Sequence, residues 1–197
     1  MAQRMTKDAR RAQLLEVAYE IVRGEGTDAL TLARLAERAG VSKPIAYNHF
    51  GTRAGLLAAL FEWFDVQQIA RMRAALATGG DTLEDAARIV AAGYLDCIVG
   101  DGPEFEELSA ALLAYDETKD VLRASRETFT DAYREVFAPF AALDGAAGRA
   151  ILTGLVGAAE ALARDLHDGA IGRRTAIDAL ARMMRATLAA PAGTSAV

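Results

Sequence analysis

The sequence predicts an all-α chain of about nine helices, three in a compact N-terminal unit and the rest in a larger helical bundle. Apolar residues recur at helical spacing almost throughout, and no run alternates β-branched residues as a strand would. The four prolines, at 44, 103, 139 and 191, each fall near an expected helix end or beyond it. Hydrophobic residues make up 52% of the 197 residues, enough to bury a real core and too many for a disordered chain.

Thr6 is placed to cap a first helix, whose Leu14, Val17, Ala18, Ile21 and Val22 form one apolar stripe, with Gly24 and Gly26 stopping it. Thr31 caps a second helix, Leu32 to Arg38, ended by Gly40. Ser42 caps a third, with Pro44 in its first turn, where a missing N–H costs little. A fourth follows Gly51 and Thr52 and runs toward Thr78, with a kink allowed. Gly79-Gly80-Asp81 is the clearest break in the middle of the chain. Beyond it, helices are expected at Thr82–Val99, Glu104–Tyr115, Thr118–Phe140, Ala146–Asp168 and Thr175–Leu188. The resulting domains are 1–55, 56–189 and a flexible tail, 190–197.

The net charge of −5 divides unevenly. Residues 1–55 carry nine Lys or Arg and six Asp or Glu; residues 56–197 carry thirteen and twenty-one. A mildly basic head on an acidic body is the balance expected of a nucleic-acid-binding end joined to another module. The apolar run Ala150 to Ala163 is broken by Thr153, Gly154, Gly157 and Glu160, so no membrane span is expected, and Met1 to Arg11 has no secretory apolar core. Cys97 is the only cysteine, which fits a reducing cytoplasm. His49, His167 and Cys97 are scattered, so no metal site is expected, and no phosphate loop or paired Glu-x-x-His motif points to an enzyme or a cofactor.

The informative stretch is Thr31 to Phe50: short helix, tight turn, short helix. Ala36 lets the two helices cross closely, and Gly40 sits where the turn needs positive φ. Leu35, Ala39, Val41, Ala46 and Phe50 close a small core against Leu14, Ala18 and Ile21. Such a helix-turn-helix offers its second helix to a DNA major groove. Thr31, Leu32, Leu35, Ala36, Ala39, Gly40, Val41, Ser42, Tyr47, His49, Phe50, Thr52 and Leu56 stand in the register of a known signature. On these residues the chain resembles the TetR family of bacterial regulators. Arg53 stands where lysine is commoner, and Pro44 and Ala46 also depart from the usual residues.

The resemblance implies that Tyr47 and His49 donate to phosphate oxygens. Lys43 and Arg53 are either further phosphate contacts or solvated charges, and Thr31 either binds a phosphate at its helix N-terminus or only caps. Ser42, Pro44, Ile45 and Asn48, with Lys43, are candidates for base readout. Arg4, Lys7, Arg10 and Arg11 form a basic arm that either reaches DNA or stays unattached.

One recognition helix reads few base pairs, so a homodimer on palindromic operator DNA is expected. The expected seam is residues 146–188. Gly148, Gly154, Gly157, Ala158, Ala161 and Ala163 admit close helix approach there, beside a stripe of Ile177, Leu180, Ala181, Met184 and Leu188. Packing inside one subunit is the other reading of both faces. By resemblance, the body encloses a pocket for a small-molecule effector of unknown identity, whose binding releases the DNA. The candidate lining is Trp63, Phe64, Met72, Tyr94, Cys97, Phe105, Tyr115, Phe129, Tyr133 and Phe137, each equally explained as core. Glu160 anchors a polar ligand group, pairs with a nearby arginine at the dimer seam, or faces water. The expected function is a ligand-responsive repressor; the rival is a protein-interaction module whose helix-turn-helix does not bind DNA.

Overall fold

The computed structural model describes residues 5–100 and 102–189, apart from the side chains of residues 97–100, 102–106, 117 and 119. Nine α-helices occur among the described residues, and no strand. They are α1 (Lys7–Glu25), α2 (Leu32–Arg38), α3 (Lys43–Phe50), α4 (Arg53–Leu76), α5 (Leu83–Gly100), α6 (Gly102–Leu113), α7 (Lys119–Phe137), α8 (Gly145–His167) and α9 (Arg173–Leu188). The all-α expectation holds, element by element. Two 3-10 turns, Thr27–Ala29 and Asp116–Thr118, escaped the sequence reading because three residues are too few to show a period. The expected tail, 190–197, and Arg4 lie outside the described residues.

The caps follow from chemistry that the sequence displays. Ala9 donates its N–H to Thr6 Oγ1 at 3.2 Å, and Arg34 donates its N–H to Thr31 Oγ1 at 3.1 Å. Of the two glycines expected to end α1, Gly24 lies inside the helix and Gly26, at φ +82°, ends it. Gly40, at φ +64°, turns the chain between α2 and α3.

The described residues divide into two compact units. One comprises those up to Phe64 with Pro103–Arg123; the other comprises Asp65–Gly102 with those from Ala124 onward. In the first, Leu14, Ala18 and Ile21 of α1 meet Leu35 and Ala36 of α2, Ala46 and Phe50 of α3, and Leu56, Leu57 and Leu60 of α4. Leu108 and Leu112 of α6 complete this core. Burial of a Leu or Ile side chain contributes about 1.5–3 kcal/mol, so this ring of residues fixes how α3 is held.

In the second unit, α5 packs on α8 and α9, and α8 packs on α9. Here the structure corrects one expectation. Ile177, Leu180, Ala181, Met184 and Leu188 of α9 are buried inside the chain itself, so this stripe is not available to form a dimer seam. Arg88–Asp178 at 3.4 Å, Arg173–Asp96 at 2.5 Å and Arg185–Glu84 tie α5 to α9 at the surface. Such exposed pairs orient more than they stabilise. α8 buries Gly148, Leu152, Leu155, Val156, Ala159 and Ala163, yet its opposite face, with Gly154 and Ala161, is exposed. It is the one described helix long and apolar enough to cross a membrane, with a mean hydropathy of 1.3 over its best window, of which 33% is buried.

Candidate nucleic-acid interface

Helical spacing sorts the side chains of α3 into two sets. Ala46 and Phe50, one turn apart, are buried in the first unit's core. Ser42, Lys43, Pro44, Tyr47 and Asn48 are exposed, and Tyr47 presents 51% of its surface to solvent. A tyrosine that exposed gains little from the core and is placed to meet a ligand. Ser42 occupies the N-cap by backbone alone, without a side-chain bond to the helix, and Pro44 sits in the first turn. Ile45 is half-buried against the core, so its apolar body faces the protein more than the outer surface.

Two of the arginines expected as contacts have other work. Arg53 donates from Nε to the Leu30 carbonyl at 2.9 Å, from Nη2 to the Thr27 carbonyl at 2.8 Å, and from Nη1 to the Tyr115 hydroxyl at 2.8 Å. Asp28 lies 3.8 Å from the same guanidinium. This set satisfies the fork inside the first unit, so a phosphate role for Arg53 does not fit the geometry. Arg11 donates to the His49 carbonyl at 3.0 Å and lies 5.0 Å above the Phe50 ring. It closes the C-terminal turn of α3, where carbonyls lack intrahelical partners and the helix dipole favours a cation. Arg11→Met, which keeps the stem and removes the charge, is expected to lower urea stability by about 1 kcal/mol. It should also weaken binding to all duplexes alike; a loss confined to particular sequences would mean that Arg11 reads bases.

His49 is half-buried beside this cluster. Burial lowers its pKa from the usual 6.5, and the positive charges of Arg11, Lys7 and Arg10 lower it further. The imidazole is therefore neutral near pH 7 and reaches a phosphate only as an N–H donor. A phosphate beside it favours the imidazolium, so the pKa is higher in a DNA complex than in the free protein. Between those two values the complex binds more protons, and affinity rises as pH falls. Above the bound-state value the profile is flat. Anisotropy between pH 7.5 and pH 5.5 (roughly one unit either side of the reference pKa) should show this rise, and His49→Gln should abolish it.

Two further arginines on this unit are paired. Arg34 bridges Glu25 at 3.0 Å and Glu37 at 3.0 Å, and Arg38 meets Glu25 at 3.3 Å. Glu107 of α6 accepts from the Thr27 N–H at 3.4 Å and hydroxyl at 3.3 Å. Neither Glu107 nor Arg11 as a clamp was visible in the sequence, because each acts across a long separation without a local motif.

The residues expected to line one ligand pocket separate. Trp63 and Phe64 stack with Tyr19 of α1 in the first unit, at ring separations of 5.8 and 5.2 Å, and Tyr115 is bound to Arg53 there. The side chains of Cys97 and Phe105 lie outside the described residues. In the second unit Tyr94 and Phe129 meet edge to face at 5.4 Å, and Met72 and Phe137 are buried. Tyr133 is fully buried, and its pKa is pushed well up by burial and by the nearby Tyr94 and Glu160. Glu160 takes two hydrogen bonds from Arg126 of α7, both at 2.9 Å, a partner within the same chain and not one across a dimer seam.

The chain is similar to known bacterial regulators in its N-terminal sequence and in its fold. Residues 14–60 match the N-terminal domain described as bacterial regulatory proteins, TetR family. The HTH-type transcriptional activator FasR of Mycolicibacterium smegmatis is 29% identical over 154 residues, 78% of this chain and 70% of FasR. The nucleoid occlusion factor SlmA of Vibrio vulnificus is 33% identical over 79 residues, 40% of each chain. Among solved structures, a TetR-family regulator from Streptomyces coelicolor superposes with a TM-score of 0.66 at 21% identity, covering 93% of this chain and 80% of that one. One from Pectobacterium atrosepticum gives 0.64 at 24%, covering 94% and 97%.

Proposed function

The chain belongs to the TetR family of bacterial transcriptional regulators, and from that premise we propose that it binds palindromic operator DNA as a homodimer and is released by a small-molecule effector. The observation that carries DNA binding is the outer face of α3, where Lys43, Pro44, Tyr47 and Asn48 stand exposed on a helix anchored by Ala46 and Phe50. Lys43, Tyr47 and His49 contact phosphates in this reading, with Thr31 at the start of α2; Ser42, Pro44 and Asn48 face base edges.

The dimer uses the exposed small-residue face of α8, since the α9 stripe is occupied within the chain. Two copies of α3 then enter neighbouring grooves of one duplex. Repression follows wherever such a dimer covers a promoter. Activation is the second reading, favoured by the name and extent of the FasR match. A reporter driven by the chain's own selected operator decides between the two.

Binding to random duplex at two salt concentrations tests the central claim. Log affinity should fall with log salt by about 0.9 per neutralised phosphate, and Lys43→Ala should reduce that slope by one such step. Salt-independent or undetectable binding would favour a protein-interaction module instead.

A further inference from the structure

Tyr133 of α7 poses a problem that the fold alone does not answer. Its side chain is fully buried, and its hydroxyl has no hydrogen-bond partner among the described residues. Buried polar groups are nearly always satisfied, and an orphan in a dry core is a cost that phenylalanine would avoid. The ring of Phe137 lies 6.2 Å away, and Tyr94 and Glu160, which pair with Phe129 and Arg126, act on the phenol electrostatically. We propose that the Tyr133 hydroxyl is the hydrogen-bond donor that selects the effector, and that the effector is a neutral, largely apolar molecule bearing a carbonyl-type oxygen.

The class follows from what the neighbourhood offers. An anion is disfavoured, because the Glu160 carboxylate already opposes negative charge at this hydroxyl and the Arg126 guanidinium is taken by that carboxylate in two bonds. A cation gains little from Glu160 for the same reason, and either charge suffers from burial. Two buried polar atoms lack partners among the described residues, the Tyr133 hydroxyl and Gln68 Nε2, and both are donors; an acceptor oxygen on an apolar frame is what completes the hydroxyl. The phenol keeps its proton across the physiological range, because burial and the nearby negative charge both oppose ionisation.

The inference rests on the reading of the second unit as the effector-binding body, and its test separates the two. Cyclohexanone and methylenecyclohexane have the same shape and differ in the acceptor; cyclohexanecarboxylate and cyclohexylammonium supply the charged arms. Ligand-observed NMR titration of the full chain should show cyclohexanone bound about three- to tenfold more tightly than methylenecyclohexane, with neither charged probe competing. In Tyr133→Phe that preference should fall to near one, while the Tm stays level with wild type or rises. Equal affinity of wild type for the two neutral probes, no binding of cyclohexanone, or tighter binding of a charged probe overturns the proposal. So does a Tm several degrees lower in Tyr133→Phe, because the hydroxyl would then already serve the fold. Anisotropy of a bound duplex is read in parallel. If cyclohexanone binds through Tyr133 and leaves DNA affinity unchanged, the site stands and the release mechanism falls.

Discussion

Replacing Arg53 by alanine is expected to destabilise the first unit by about 2–3 kcal/mol and to leave the salt dependence of DNA binding unchanged. The guanidinium joins acceptors from two segments distant from it in sequence: the Thr27 and Leu30 carbonyls, at the start of the 3-10 turn and just past its end, and the Tyr115 hydroxyl. Charged hydrogen bonds contribute roughly 1.5–3 kcal/mol each when dry, and partial exposure of this side chain brings the sum down. Alanine leaves the Leu30 carbonyl and the Tyr115 phenol without the guanidinium, and the Thr27 carbonyl with the Leu30 N–H at 3.1 Å. The turn they belong to delivers the chain to Thr31, the cap of α2, so its loosening is transmitted to the helix pair that holds α3.

Arg53→Lys retains the charge and one donor set, and a compact ammonium cannot reach three acceptors in a planar fork. It should recover less than half of the loss in a chemical melt followed by Trp63 fluorescence. A phosphate contact would behave in the opposite way. Lysine would restore binding, alanine would lower the salt slope by about 0.9, and stability would hardly move. That second pattern would show that the guanidinium turns outward in solution.

The contrast between Arg53 and Tyr47 shows where the sequence is legible. Tyr47, Ala46 and Phe50 are neighbours on one short helix, so a 3.6-residue period is enough to say which faces in and which faces out. The start of every helix that carries a Thr cap was legible for the same reason, since Thr6 and Thr31 act on backbone three residues away. Arg53 occupies a motif position whose usual lysine suggests an outward role. Its partners depend on where residues 27, 30 and 115 come to rest, and no local pattern encodes that. That Arg126 is the arginine paired with Glu160, 34 residues away, and that Glu107 meets Thr27 across 80 residues were invisible on the same ground.

Amphipathic periodicity has a related limit. It marks the Ile177–Leu188 stripe of α9 as buried without naming its partner, and α5 and α8 of the same chain supply that partner. Aromatic content behaves likewise. Trp63 and Tyr94 look equivalent as candidates for a pocket, yet the fold assigns them to different units. Nor does the sequence show that the Tyr133 hydroxyl is buried without a partner among the described residues.

Small residues on α8 make the same point in a form that mutation can resolve, because Gly148 and Gly154 look alike in sequence and sit in opposite environments. A Cβ added at Gly148 would lie 2.1 Å from both the carbonyl carbon and the oxygen of Leu143. That backbone cannot give way easily, because Gly145 turns there at φ +66° to start the helix behind its Asp144 cap. Gly148→Ala is therefore expected to cost about 3 kcal/mol, the upper range for overpacking, and to lower Tm by roughly 6–12 °C. At Gly154 nothing lies within 4 Å of an added Cβ. Gly154→Arg should therefore keep its helical circular dichroism. If the exposed α8 face is the dimer seam, the same change buries a guanidinium between two copies and drives sedimentation toward the monomer, with loss of tight binding to a two-site duplex. Gly148→Ala should disturb Tm at every protein concentration, whereas the effect of Gly154→Arg should appear through assembly. A Gly154→Arg protein that still sediments as a dimer would move the seam elsewhere on the chain.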